Sequence, residues 1–183
     1  YAIDRLEEYK DEEKPFLLYL PYTAPHYPLH AWPEDIEKYR GKYMVGWDEI
    51  RKRRFTRMSE LGIIGPAHKL SARTGRAWSE LSDEEKDAED LKMAVYAAMI
   101  DRVDQNLGRL FAKVRDLGEW ENTLVLFLTD NGACPEQPNT TPEIPPGPVE
   151  SYRTISVEWA NASNTPYRKF KSTDYEGGIR TPF

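Results

Sequence analysis

Two patterns of apolar residues along the chain predict both strands and helices. Residues 16–22 and 123–129 are almost continuously apolar, as strands buried on both faces are. Between them, apolar residues in 83–117 recur at steps of three and four, which predicts a long amphipathic helix that begins with a capping box from Ser82 to Glu85. Strand, helix and strand in this order predict an α/β fold whose two strands run parallel in one sheet.

Shorter signals predict the remaining organisation. Ile3, Leu6 and Tyr9 have helical spacing, which predicts a short surface helix before the first strand. Further helices are predicted over 33–39, where proline stands in the first turn, and over 46–61. The proline-rich segments are predicted to be loops, and one weakly patterned segment is predicted to be irregular; these are 21–33, 134–148 and 62–81.

Composition and charge narrow the classes of function. No stretch of the 183 residues approaches the roughly 18 apolar residues that a membrane span needs, so we expect no transmembrane segment. The net charge is −6, which argues against a nucleic-acid partner in spite of the basic run 51–54. No aromatic residues interleave with that run, so we interpret it as a solvated helix face. Cys134 is the single cysteine, which excludes an internal disulfide framework.

The end of the second predicted strand carries oxygen-bearing side chains. Asp130 and Asn131 stand there, and open α/β sheets bind ligands beyond the carboxyl ends of their strands. Carboxylate and amide oxygens suit a hard cation such as Ca²⁺ or Mg²⁺. Asp-Asn-Gly is also a common turn sequence, so position alone leaves both a metal site and an ordinary turn open.

Two basic side chains are further candidates. His26 follows the first predicted strand, in a proline-rich loop where its imidazole could donate to an anion or to a leaving group. Lys171, with Lys169 close by, precedes a Glu-Gly-Gly turn and could approach an oxyanion. Each also has an ordinary interpretation, as a surface histidine and as a solvated lysine.

Taken together, four segments resemble the formylglycine-dependent sulfatases of the alkaline-phosphatase-like superfamily, above all the arylsulfatases. The order and spacing of the segments are similar to those of that family. The segments are 15–26, which ends in Ala-Pro-His, 94–104, 126–132, which ends in Asp-Asn-Gly, and 171–183, which contains Glu-Gly-Gly.

The resemblance implies a fold and a site. The fold would be a mostly parallel central sheet flanked by helices. His26 would contact the sulfate or protonate the departing oxygen, and Lys171 would contact a sulfate oxygen. Asp130 and Asn131 would ligate Ca²⁺ or Mg²⁺. The substrate would be a small-molecule or glycan sulfate ester, and the family suggests a periplasmic or secreted enzyme.

The family's nucleophile motif is missing from these residues. Such enzymes make formylglycine from the first residue of Cys/Ser-x-Pro-x-Arg, and the segment at Cys134 does not match because Glu136 stands where proline is required. We therefore expect residues 1–183 to be the middle part of a single catalytic domain, with the nucleophile upstream and a further part downstream. We also expect no sulfatase turnover from this chain alone.

Two alternatives to a sulfatase stay open at this point. One is a phosphate or phosphonate ester hydrolase of the same superfamily, because tetrahedral oxyanions differ little in shape. The other is a non-catalytic domain of the same fold. If His26, Lys171, Asp130 and Asn131 serve one anion and one cation, their side chains must converge in one cleft.

Overall fold

The computed structural model describes residues 1–136 and 140–181, and helices dominate this part of the chain. Short 3-10 helices lie at Trp78–Glu80 and Trp120–Asn122. The α-helices of the described residues are α1 (Ala2–Glu8), α2 (Pro33–Glu37), α3 (Gly46–Glu60), α4 (Asp83–Asp116), α5 (Val157–Ser163) and α6 (Glu176–Ile179).

The long helix is confirmed, and so is its capping box. The Ser82 hydroxyl accepts a hydrogen bond from Glu85 N at 3.2 Å, and the Glu85 carboxylate accepts one from Ser82 N at 2.8 Å. Gly118, at φ +77°, follows the last turn in the left-handed conformation that favours glycine. The other helices of the first 61 residues also lie where the sequence predicts them, with ends that differ by one or two residues.

The predicted sheet is not confirmed. The described residues contain no β-strand, only one isolated parallel bridge between His30 and Gly147. The expected burial of both strand segments is wrong for this chain by itself, since Leu17 is 96% exposed and Phe127 is 71% exposed. A strand is buried on both faces only when neighbouring strands and covering helices lie against it. Leu18 and Leu20 pack against the cluster between α1 and α4, but among the described residues no strand pairs with 16–22 or with 123–129. The sheet therefore stays a prediction.

The core lies between the helices. Trp47 of α3 and Trp159 of α5 are fully buried and meet edge to face, with ring centroids 5.4 Å apart. Val95 of α4 and Leu29, which follows the His26 loop, belong to the same cluster. A second, smaller cluster joins α1 to the end of α4 through Leu6, Leu110 and Val114. The first cluster holds α5 and the base of the His26 loop in fixed positions.

The loop prediction for 134–148 is confirmed where the structure describes it, and residues 137–139 lie outside the described residues. Backbone hydrogen bonds connect this loop to the segment after His26. Leu29 O accepts from Gly147 N at 2.9 Å, and Ala31 N donates to Gly147 O at 3.0 Å. The His30 ring adds a bond from Nε2 to the Ser151 carbonyl at 2.7 Å. These contacts attach the His26 loop to the helical core.

No helix among the described residues combines the length and the apolar character that crossing a membrane requires.

Asp35 is a buried carboxylate whose loss is expected to destabilise the α2–α4 contact. Its oxygens accept hydrogen bonds at 2.8 Å from Lys38 Nζ and from Arg102 Nε. The bond from Lys38, and then the Arg102 guanidinium, hold the pKa of Asp35 below its usual range against the opposing effect of burial. We expect Asp35→Asn to lower the free energy of unfolding in urea by about 1–3 kcal/mol at neutral pH, because the partly exposed Lys38 and Arg102 lose the charged acceptor of their hydrogen bonds and a buried amide replaces it.

The lowered pKa of Asp35 also predicts how the stability difference between the two proteins changes with pH. A lowered pKa stabilises the folded state above the unfolded value of about 3.9, and that contribution is lost as pH falls through the folded pKa. The difference between the unaltered protein and Asp35→Asn should therefore shrink below about pH 4. Glu34→Gln is the control, since Glu34 is 68% exposed and its carboxylate approaches the Arg102 guanidinium no closer than 4.0 Å. An equal loss of stability in both variants would contradict the assignment.

Candidate functional site

The structure brings His26 and Lys171 into direct contact. His26 Nε2 lies 3.1 Å from Lys171 Nζ, although the two residues are 145 positions apart in the sequence. The other ring nitrogen, Nδ1, lies 2.8 Å from the carbonyl oxygen of Tyr27. A carbonyl can only accept, so Nδ1 carries a hydrogen and Nε2 of the neutral ring has a free lone pair that faces the lysine. Nε2 is therefore the nitrogen of His26 that is available for chemistry.

The neighbouring residue, Tyr27, supports the His26 ring. The two ring centroids lie 4.3 Å apart, and the Tyr27 hydroxyl donates to a Glu136 oxygen at 2.7 Å. The hydrogen bond to Glu136, with its negative charge, raises the pKa of Tyr27 to about 12. Tyr27 thus stays a neutral donor at physiological pH and connects the His26 loop to the segment that follows Asp130 and Asn131.

Lys171 lies in a tightly turned segment. Its backbone nitrogen donates to Ala133 O at 3.1 Å. Two residues near it, Lys169 and Ser172, adopt the left-handed conformation with φ of 65° and 69°. This conformation is costly for residues with a side chain, and it persists only where surrounding contacts enforce it. The segment is therefore held by its neighbours in a shape that directs Lys171 towards His26.

Asp130 and Asn131 begin the loop that adjoins the Lys171 segment. Gly132 N donates to Gly178 O at 3.0 Å. Asp130 is exposed and Asn131 is half-buried, so both can reach a ligand from outside. Their oxygens fit a hard cation in type, but Ca²⁺ takes about 6–8 oxygen ligands. The described residues contain no group of three or more His, Cys, Asp or Glu side chains that could hold a metal, so this pair could supply only part of a coordination shell.

Asn164 joins these two segments, and no pattern in the sequence singles it out. Its Oδ1 accepts a hydrogen bond from Ala133 N at 3.0 Å, and its Nδ2 donates to Lys169 O at 3.2 Å. Asparagine is common at the ends of helices, where it serves capping, and Asn164 is the residue that follows α5. Tyr27 and Glu136 were missed for a similar reason, because a contact between residues 109 positions apart leaves no local signal.

A family model described as Sulfatase matches residues 2–183. The chain belongs to the sulfatase family. This membership confirms the resemblance drawn from the four sequence segments. It implies an alkaline-phosphatase-like α/β fold, within which the parallel arrangement of 16–22 and 123–129 stays a prediction.

Relatives of this sulfatase chain include an uncharacterized sulfatase of Schizosaccharomyces pombe, 37% identical over 98% of the chain and 35% of the relative. An arylsulfatase of Klebsiella aerogenes is 37% identical over 94% of the chain and 40% of the relative. A multifunctional alkaline phosphatase superfamily protein of Trinickia caryophylli is 27% identical over 65% of the chain and 24% of the relative. The chain thus spans well under half the length of these relatives.

Cys134 follows Ala133 at the edge of the candidate site and lacks the features of a nucleophile. The side chain is half-buried, and burial raises the pKa of its thiol. A raised pKa leaves little thiolate at neutral pH, and the thiolate is the reactive form. The structure therefore gives Cys134 no nucleophilic role, in keeping with the mismatch between its segment and the nucleophile motif.

Gly132 is required by the close approach of two backbone segments, and this gives a second prediction. A Cβ atom on Gly132 would lie 1.8 Å from Gly177 O, which no side-chain movement can relieve. We expect Gly132→Ala to lower the free energy of unfolding by about 3 kcal/mol, because the Asp130 loop and the Gly177 turn must separate. Urea unfolding of the purified variant measures this change.

The matched control for this substitution is Gly108→Ala. Gly108 lies within α4, and a Cβ there would have nothing within 4 Å. Since alanine favours helix over glycine, the control should gain about 0.5–1 kcal/mol. If Gly132→Ala were as well tolerated as the control, the close contact between the two segments would be wrong.

Proposed function

We propose that the full-length protein hydrolyses a sulfate ester and that this chain supplies part of its anion and cation sites. The observation that carries the proposal is the 3.1 Å contact between His26 Nε2 and Lys171 Nζ. Two nitrogen groups this close can both donate to the oxygens of one tetrahedral anion when the His26 ring is in its cationic form. Membership of the sulfatase family makes a sulfate ester the substrate class that this arrangement favours.

The two nitrogens suit different tasks. The Lys171 ammonium carries a full positive charge and three hydrogens, so it can stabilise a sulfate oxygen as negative charge builds on it. His26 in its cationic form, with hydrogen on both ring nitrogens, can give the Nε2 proton to the ester oxygen as the bond to sulfur breaks. The carbonyl of Tyr27 keeps a hydrogen on Nδ1 in both the neutral and the cationic ring, so Nε2 is the nitrogen that gains and loses the proton.

Asp130 and Asn131 would hold a divalent cation, Ca²⁺ or Mg²⁺. Such a cation, when bound, neutralises negative charge on sulfate oxygens. This chain would orient the cation relative to the Lys171 ammonium, because hydrogen bonds attach the Asp130 loop to the Lys171 segment. The cation and the ammonium would then approach one anion from neighbouring directions. The formylglycine nucleophile that the family implies would come from outside these residues.

Matched aryl esters test the proposed function. The full-length protein is assayed with 4-nitrophenyl sulfate and with 4-nitrophenyl phosphate, which share a leaving group, in Ca²⁺, in Mg²⁺ and in EDTA. We expect kcat/KM for the sulfate to exceed that for the phosphate by at least about 100-fold, and EDTA to remove most of the activity.

The other outcomes distinguish the alternatives. A preference for the phosphate ester would favour the phosphate or phosphonate hydrolase. The relative from Trinickia caryophylli, a multifunctional alkaline phosphatase superfamily protein, makes this the first alternative to test. No turnover of either ester with either cation, by a protein that unfolds cooperatively, would favour a non-catalytic domain. Both outcomes contradict a sulfatase.

A further inference from the structure

The Asn164 side chain is shared between the two segments that carry the candidate cation ligands and Lys171. Both the oxygen and the nitrogen of its amide form hydrogen bonds. Oδ1 accepts from Ala133 N, two residues after Asn131, and Nδ2 donates to Lys169 O, two residues before Lys171. The backbone bond from Lys171 N to Ala133 O completes a three-way connection among these segments.

The segment that precedes Asn164 is rigid. Trp159 and Ala160 of α5 are fully buried, and the helix begins with a hydrogen bond from Trp159 N to the Ser156 hydroxyl at 3.3 Å. A side chain at the end of such a helix keeps its position, whereas the two segments that it joins are loops. Asn164 can therefore transmit the position of the core to both loops.

The bond to Lys169 O has a second consequence. Lys169 adopts φ 65°, a left-handed conformation that is unfavourable for a residue with a side chain. The hydrogen bond from Asn164 Nδ2 to the carbonyl of that residue helps to enforce it. The turn that directs Lys171 towards His26 thus depends on the donor end of the amide, and the position of the Asp130 loop depends on its acceptor end.

We propose that Asn164 is a positioning residue that sets the spacing between the Asp130–Asn131 pair and Lys171. Both of its hydrogen bonds go to backbone atoms, Ala133 N and Lys169 O, so it acts through the backbone of the two loops. The inference rests on the proposed function for its catalytic consequence, whereas the spacing itself follows from the hydrogen bonds. The amide provides an acceptor for one loop and a donor for the other, whereas an aspartate carboxylate provides acceptors alone.

Hydrogen exchange tests the spacing without any substrate. In the full-length protein we expect Asn164→Ala to speed exchange about 10-fold or more in peptides that cover 130–135 and 168–173, since Ala133 N loses its acceptor. Exchange in the peptide from the middle of α4 reports that the fold is intact. Asn122→Ala is the matched control, because Asn122 is an exposed asparagine whose side chain takes no part in these hydrogen bonds.

The Asn164→Asp variant separates the two ends of the amide and remains informative if the alanine variant does not fold. Its carboxylate still accepts from Ala133 N but cannot donate to Lys169 O. We therefore expect protection to be retained in 130–135 and lost in 168–173. Unchanged exchange in both peptides, for Asn164→Ala or for Asn164→Asp with α4 protection intact, would overturn the inference.

Kinetics test the catalytic consequence with the same variants. Residues that orient a metal or catalytic group without touching substrate commonly cost 10–100-fold, and we expect a fall in kcat of about that size for 4-nitrophenyl sulfate in Asn164→Ala, with the Ca²⁺ concentration for half-maximal activity raised. In Asn164→Asp, kcat should fall while the Ca²⁺ requirement changes little. Equal kinetics for Asn164→Ala and Asn122→Ala would overturn the positioning role. Lack of sulfatase activity in the unaltered protein would instead contradict the proposed function, and the exchange experiment would still decide the spacing.

Discussion

Replacing His26 with alanine in the full-length protein is expected to lower kcat for 4-nitrophenyl sulfate by about 10²–10⁴-fold. The reason is that Nε2 of this ring, 3.1 Å from Lys171 Nζ, is the group proposed to protonate the departing oxygen. The loss should be larger for an alkyl sulfate than for the nitrophenyl ester, because a poor leaving group depends more on receiving a proton. Steady-state kinetics with both esters measure the difference.

His68→Ala is the control for this substitution. His68 is also a loop histidine, and its Nδ1 lies 3.2 Å from the backbone carbonyl of Gly65. The control therefore removes the same side chain from a similar local setting. Its kcat should stay within about twofold of the unaltered protein, because surface substitutions away from special features have small effects. Equal activity in the two variants would contradict the role of His26.

Replacing Lys171 with alanine is expected to lower kcat/KM for the sulfate ester by about 10²–10³-fold, because the ammonium stabilises charge that develops on the anion. Lys169→Ala removes a positive charge only two residues away. The Lys169 ammonium, however, lies over the Phe170 ring at 6.0 Å from its centroid, not against His26.

The pair of lysine variants separates a local contact from general attraction of an anion. If the effect were long-range electrostatics, both variants would lose activity to a similar degree and both losses would shrink with added salt. If Lys171 contacts the anion, its loss should exceed that of Lys169 by at least about 100-fold and persist at high ionic strength. Similar losses would contradict the proposed contact.

The helices could be predicted because their signals are local. The capping box at Ser82 and the apolar steps of three and four lie within the segment that they organise, and α4 begins and ends where they indicate. The strand segments show the opposite case. Their apolar sequence describes a surface that needs partners, and burial depends on residues remote in the chain. Leu17 is accordingly exposed when the described residues alone surround it.

The candidate site could be predicted only in part from sequence. Spacing and position placed His26 and Lys171 in loops, and the family resemblance suggested that they belong together; the contact itself spans 145 positions. Neither a spacing pattern nor the family resemblance pointed to Asn164 or Glu136, because each acts through a hydrogen bond to a distant loop. Side chains that hold other segments in place leave no periodic or spacing signal, and a structure is needed to find them.

A crystal structure of the full-length protein with sulfate and Ca²⁺ tests the central claim most directly. We expect one sulfate ion whose oxygens lie within about 3 Å of both His26 Nε2 and Lys171 Nζ. We also expect Ca²⁺ about 2.3–2.6 Å from the side-chain oxygens of Asp130 and Asn131, facing the same anion. A sulfate bound away from His26 and Lys171, or a cation held without Asp130 and Asn131, would contradict it.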